Sequence, residues 1–457
     1  METYKKFLER KTQVGADHGF DPTWMPSTLF PFQVALVEWA VRKGRAAIFA
    51  DCGLGKTPMQ LTWAENVAQH TKGRVLILTP LAVAFQTVRE GEKFGVEVAH
   101  RREGIERGDR IVVTNYERMH YFNPSDFAGV VLDESSILKA FTGKYRTTLT
   151  EAWKGKQFKL ACTATPAPND LMELGNHSEF LDVMRGCEML SSYFINDPGH
   201  VGHYRIKGHA ESLFWQWVAS WAAYVRKPSD IGFDDGAFEL PPLRLHEMVL
   251  HANEASEGML FALEAHTLRE RQAARRATIQ ARVERVAEIA NKTSRPFLAW
   301  CDMNDESALL KASIPDAVEV KGADSEKHKE GSMSAFRDGN VRVLVSKPSI
   351  AGWGMNFQHC ADMAFTGLSD SYEQYYQAVR RCWRFGQKRA VNCSIVTDAT
   401  EGAVVANVKR KQDEVERMAE GMRAHMSKAM KIGNKNEVFA QKYTASSKLE
   451  VPQWLSA

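Results

Sequence analysis

The stretch "AAIFADCGLGKTPMQLTWA", residues 46–64, decides the fold. Its opening residues are continuously apolar, the mark of a strand buried on both faces. A short loop with two glycines follows. A helix-length segment comes next, with Pro58 in the first turn, where the missing N–H has no intrahelical partner. Strand, glycine loop and helix in that order make a phosphate cradle. Backbone N–H groups and the positive end of the helix face the phosphate oxygens, a lysine neutralises them, and a hydroxyl can ligate Mg2+. Gly53, Gly55, Lys56 and Thr57 stand at those places, although Ala50 occupies the position of the first glycine in the strict G-x-x-x-x-G-K-T pattern.

Apolar runs of the same kind recur at 74–80, 110–115, 129–134 and 158–165. The segments 56–70, 82–94 and 135–152 between them are long enough for helices. A second series of short apolar runs lies at 296–301, 317–322, 341–346, 363–367 and 392–397. This β–α alternation predicts two α/β units, each a doubly wound parallel sheet, with short helical insertions. The aromatic piece "SLFWQWVASWAAYVRK" (212–227) reads as helix, its Trp215, Trp217 and Trp221 as core. A charged helix is expected over 254–292. The arginines within 268–285 read as a solvated face with Glu partners, or else as one wall of a nucleic-acid groove. The tail from 403 begins as a helix, its basic residues mainly solvated.

A chain of 457 residues, 44% hydrophobic and 25% charged, is of globular composition and too long for one core. No apolar run approaches the ~18 residues of a membrane span, and the N-terminus is charged with no apolar core like a signal peptide's. Seven scattered cysteines without a C-x-x-C pair read as reduced thiols. The expected location is cytoplasmic, with no membrane partner. A net charge of +3 permits nucleic-acid binding without indicating it.

The partner of the phosphate loop is "GVVLDESS" (129–136). Asp133 falls at the C-terminal end of a strand, where a doubly wound sheet binds ligands, and suits a direct or water-bridged Mg2+ contact. Glu134 is placed to orient or deprotonate an attacking water. Near the far end, "QAVRRCWRFGQ" (377–387) sets Arg380, Arg381 and Arg384 close together. If helical, Gln377, Arg381 and Arg384 share a stripe, with Arg380 and Trp383 to its side.

The order of these motifs resembles the superfamily-two helicases, and within them the Swi/Snf-type DNA translocases. "LFPFQ" (29–33) is similar to the adenine-reading glutamine motif, "ADCGLGKT" to motif I, "LTPLAVAFQTVRE" to Ia and "VTNYERM" to Ib. "VLDESSILK" resembles motif II, "ACTATPAPNDLMELGN" motif III with its following T-P-x-x-N-D, and "VLVSKPSIAGWGMNF" motif V. "QAVRRCWRFGQ" fits the Q-x-x-x-R-x-x-R-x-G-Q form of motif VI.

The resemblance implies two RecA-like lobes closing over ATP and Mg2+, with nucleic acid, DNA before RNA, running across both. Lobe one would supply Gln33 as adenine reader, Lys56, Thr57, Asp133 and Glu134. Lobe two would supply Arg381 and Arg384 as arginine fingers, with Gly354 and Gln377 nearby, and Arg380 and Trp383 left to packing or a surface contact. Thr163 and Thr165 would couple lobe closure to nucleic-acid grip. Pro80, Thr114, Asn115, Ser346 and Lys347 would contact the strand. Ser136 stands where many superfamily members have His or Gln, which bears on coupling.

Boundaries follow at 1–27 for an N-terminal segment, 28–180 for lobe one and 181–243 for a helical protrusion and connector. Residues 244–402 form a linker helix plus lobe two, and 403–457 a C-terminal helix and tail. The function expected is that of an ATP-dependent motor moving along or remodelling double-stranded or branched DNA. The alternatives are a strand-separating DNA or RNA helicase, and an ATP-switched clamp with little turnover.

Overall fold

The computed structural model describes residues 17–139, 144–196, 204–250, 275–352 and 355–431. The first apolar series becomes β1 (Arg45–Ala50), β2 (Arg74–Thr79), a short β3 (Val98–His100), β4 (Ile111–Asn115), β5 (Phe127–Asp133) and β6 (Phe158–Cys162). A small antiparallel hairpin follows, β7 (Phe194–Asn196) with β8 (Tyr204–Ile206), and then β9 (Ala222–Val225). The first sheet runs β3-β4-β2-β5-β6-β1-β9, and every pairing in it is parallel. The second contains β10 (Leu243–Leu250), β11 (Phe297–Trp300), β12 (Ala317–Val320), β13 (Val343–Ser346), β14 (Asp362–Thr366) and β15 (Val391–Asp398). Its order is β10-β15-β14-β11-β13-β12, again all parallel. These are the two RecA-like lobes.

Parallel strands need helical crossovers, so the central strands of each sheet are covered on both faces and are largely apolar. In β1, β5 and β6 all but two of the residues are buried, and the helix Lys56–Thr71 lays Met59, Leu61, Trp63, Ala64 and Val67 into the same core. The phosphate loop leaves the end of β1. Asp133 ends β5, and Thr163 follows β6, which lies between those two strands. Three neighbouring strand ends therefore deliver the site.

Four expectations need correction. The helix expected over 212–227 stops at Ala219, and Ala222–Val225 turns back as β9 against β1. Four apolar residues satisfy a doubly covered edge strand as well as a helix, and the sheet edge decides. The wall of lobe one thus extends past residue 180. The segment 135–152 is a 3-10 turn, Ser135–Lys139, and a separate helix, Lys144–Ala152. Of the expected 254–292 helix, residues 251–274 lie outside the described residues, and the helix Ile279–Asn291 is present. Arg282 is not solvated there. It is fully buried, pairs with Glu306 at 2.7 Å and donates to the Thr366 carbonyl, because this helix packs its arginine across the end of β14.

The helix Gly402–Lys431 leaves lobe two and runs back over lobe one. Arg423 pairs with Asp230 at 3.0 Å, Arg226 pairs with Glu416, and Lys411 donates to Asn169 Oδ1 and to the Asp370 carbonyl. So part of the basic tail is structural. Among the described residues no helix is long and apolar enough to cross a membrane.

Candidate active site at the lobe interface

Lobe one builds its half from backbone first. Gly53 and Gly55 adopt φ of +91° and +79°, which a side chain would strain. A Cβ on Gly55 would lie 2.3 Å from Gln33 Nε2. Gln33 is in that place because its amide donates to the Leu54 carbonyl at 2.9 Å and accepts from Phe30 N–H at 3.0 Å. The expected adenine reader is therefore clamped to the phosphate loop. Lys56 donates to the Ala50 carbonyl at 3.1 Å. Burial acts to lower its pKa, but Glu134 and the neighbouring acidic groups Cys52, Asp133 and Asp51 outweigh that and keep the ammonium charged.

Asp133 is held on both oxygens, by Gln60 Nε2 at 2.7 Å and Thr79 Oγ1 at 3.2 Å. Tyr116 donates to its carbonyl at 2.7 Å. Sequence reading missed Gln60, a polar residue on the buried face of the phosphate-loop helix; that mismatch was the available signal. Gln60 Oε1 has no hydrogen-bond partner among the described residues. A carboxylate, the Thr57 hydroxyl one helical turn away and this orphaned acceptor are hard oxygen ligands or water anchors that suit Mg2+. Glu134 has a left-handed backbone, φ 52°, sparsely populated outside glycine and a common feature of working sites. Thr163 donates to its Oε2 at 3.2 Å, and burial raises its pKa against the pull of Lys56. Ser136 is buried beside it.

Lobe two brings its arginines onto this surface, though not on the expected helical stripe. The helix Tyr372–Val379 ends before them, and Arg380–Gln387 forms turns closed by Gly386 at φ +89°. Arg381 still reaches Gln377, donating to its carbonyl at 3.0 Å and to its side-chain oxygen at 2.9 Å. Arg381 and Arg384 both donate to the Met355 carbonyl. Neither forms an ion pair among the described residues. Arg384 Nε and Gln377 Nε2 are buried donors without an acceptor among the described residues. Burial and then the adjacent Arg381 charge push Arg384 down to about 10. Arg381 and Arg384 crowd together on the turn that lies against the phosphate loop, and the idle Arg384 Nε and Gln377 Nε2 suit an anion there. The expected Gly354 lies outside the described residues.

Of the two expectations for Arg380, packing holds and a surface contact does not. It is 2% exposed and clasps Asp51 of the phosphate loop with Nε at 3.1 Å and Nη2. Tyr376 donates its hydroxyl to the same carboxylate, and Trp383 stacks under the guanidinium at 4.7 Å. A Cβ on Gly53 would come within 3.0 Å of Phe385 N, so the turn after the arginines lies directly on the loop.

The expected strand contacts divide. Thr114 and Ser346 are fully buried and Asn115 nearly so; Ser346 donates to the Val320 carbonyl and Asn115 caps the turn Tyr116–Tyr121. The side chains of Ser346 and Asn115 are taken up by internal structure because each ends a buried strand, and Thr114 is buried one residue before the end of β4. Pro80 and Lys347 remain half-exposed.

Residues 281–386 match the helicase conserved C-terminal domain. With two RecA-like lobes and a site shared between them, this match supports a likeness to the superfamily-two helicases and translocases. The particular relatives are distant. A probable ATP-dependent RNA helicase, ddx41 of Dictyostelium discoideum, is 26% identical over 130 residues, covering 28% of this chain and 19% of its own. Putative protein p41 of Acyrthosiphon pisum secondary endosymbiont phage 1 is 28% identical over 178 residues, 33% of this chain and 38% of that protein. This chain thus spans well under two thirds of either relative. A fragment of a putative HsdR subunit of a type I restriction enzyme from Vibrio vulnificus YJ016 shares the fold, with TM-score 0.53 and 16% identity over 82% of this chain and 64% of that one. The Sulfolobus solfataricus SWI2/SNF2 ATPase core in complex with dsDNA aligns at 15% identity over 90% and 97% of the chains, but at TM-score 0.43 the superposition is too loose to argue from.

Proposed function

We propose that this chain is an ATP-dependent DNA translocase, moving along or remodelling duplex or branched DNA as its lobes close and open. The observation that carries the reading is that the phosphate loop bearing Lys56 lies against the turn bearing Arg381 and Arg384, with Glu134 in electrostatic reach of Lys56 and Arg381 and with Arg384 Nε idle among the described residues. In this reading Lys56 holds the terminal phosphates, Glu134 aligns the water, and Arg384 with Arg381 neutralises charge building on the transferred phosphoryl group. Thr57 and Asp133 would hold Mg2+, whose chemistry there would be charge neutralisation at the phosphate oxygens. The preference for DNA rests on the Swi/Snf-like T-P-x-x-N-D and motif VI sequences. An RNA helicase is the second reading, favoured by the name of the Dictyostelium relative.

ATP hydrolysis measured without nucleic acid and with single-stranded DNA, duplex DNA or RNA separates these readings. Duplex DNA should stimulate turnover most, with Lys56→Ala inactive. Stimulation by RNA alone would move the assignment to an RNA remodeller. Turnover indifferent to every nucleic acid would end the motor reading.

A further inference from the structure

A second bridge between the lobes starts from a carboxylate with no place in the ATP chemistry. Glu373 lies in the first turn of the helix Tyr372–Val379 in lobe two, a helix capped by Ser371. Its side chain is 2% exposed and is inserted into lobe one. There it accepts from Lys139 Nζ, in the turn following Glu134, and from Thr165 Oγ1 at 3.4 Å. Thr165 N–H donates to Thr163 Oγ1 at 3.1 Å, and Thr163 donates its one proton to Glu134 Oε2. Thr165 bridges with two separate groups, its hydroxyl donating to Glu373 and its backbone N–H to Thr163 Oγ1, and both ends of the route are carboxylates that accept. The route from lobe two to Glu134 therefore passes through the placement of Thr165 itself.

We propose that Glu373 is a positioning residue that sets the side-chain orientation of Glu134 through Thr165 and Thr163 when the lobes close. Opening the lobes exposes Glu373 and Lys139 to water and removes the acceptor that fixes the Thr165 hydroxyl. Thr165 is then no longer anchored to lobe two, so its N–H can shift from Thr163 Oγ1 and free the Thr163 hydroxyl to turn from Glu134. Charge-assisted hydrogen bonds are directional and fall off steeply with distance, so the link exists only in the closed arrangement. Lys139 holds the Glu373 carboxylate in register, a task a half-exposed lysine can perform without carrying the signal.

The inference rests on the ATPase reading, and hydrolysis by the wild-type chain against Lys56→Ala tests that premise by itself. Glu373→Gln, Lys139→Met, their double variant and Thr165→Val are then compared in steady-state hydrolysis with and without saturating duplex DNA. The ratio of stimulated to unstimulated kcat should fall about fivefold in each single variant, with KM for ATP within about threefold, and the double should fall no further than the worse single. Thr165→Val removes one hydroxyl at constant shape and serves if a charge variant folds poorly. A wild-type ratio in Glu373→Gln and Thr165→Val, or fully additive losses in the double variant, would overturn the proposal. A wild-type chain without hydrolysis would remove it together with its premise.

Discussion

Glu134 combines a left-handed backbone with a buried carboxylate whose pKa is raised, chiefly by burial. As a base it works only when ionised, so the rate should fall as pH drops through that raised value. The acid limb of the pH–rate profile then lies above the ~4.3 of a free glutamate. A limb below pH 4 would show that Glu134 is not the titrating group. His177 gives the opposite kind of evidence, on stability. It is buried beside Phe49, contacts Ser135 Oγ at 3.1 Å, and burial drives its pKa from 6.5 to about 4. The unfolded chain takes up this proton first, so its contribution is complete above pH 6.5 and is lost as pH falls toward about 4. At ~1.4 kcal/mol per unit, this one residue accounts for about 3 kcal/mol over that window. The urea midpoint should therefore decline less steeply with acid in His177→Gln, and parallel declines would contradict the assignment.

Among the elements, the turn Arg380–Gln387 matters most, because it joins lobe two to the phosphate loop. Removing one partner of a buried ion pair strands the other charge, at a cost of about 3–5 kcal/mol. Arg380→Met should thus loosen the lobe contact and enlarge the particle in small-angle scattering. The double variant Asp51→Asn with Arg380→Met should be closer to wild type than Arg380→Met alone. A double variant more open than either single would contradict the pairing. None of this was readable from the sequence, since the two residues are 329 positions apart and each has an ordinary surface role by default. The strands were readable for a local reason. Runs such as "RVLILT" are covered on both faces, so burial appears in the sequence as unbroken hydrophobicity. β10 escaped because "LRLHEMVL" is an exposed edge strand mixing charged and apolar residues, and β9 because "AAYV" continues an aromatic helix without punctuation. The phosphate loop and the acidic strand end were legible as contiguous motifs. Gln60, Arg380 and Glu373 were not, because their partners come from other elements.

At the scale of the whole molecule, the lobes are tied by the two site contacts and by the helix Gly402–Lys431. That helix approaches lobe one closely at Gly421, where a Cβ would lie 2.4 Å from the Trp215 ring. Gly421→Leu should lift the helix from Trp215 and speed amide hydrogen exchange within 402–431, while the strands of both sheets keep their protection. Unchanged exchange would mean that the contact contributes nothing to docking. The central claim is that lobe two completes the ATP site of lobe one. It is tested most directly by the turnover of Arg384→Ala in saturating duplex DNA, with nucleotide affinity measured alongside. The account predicts that kcat falls by about 10³ or more, while ATP binding changes by only a few fold. Turnover equal to wild type at full nucleotide occupancy would contradict it.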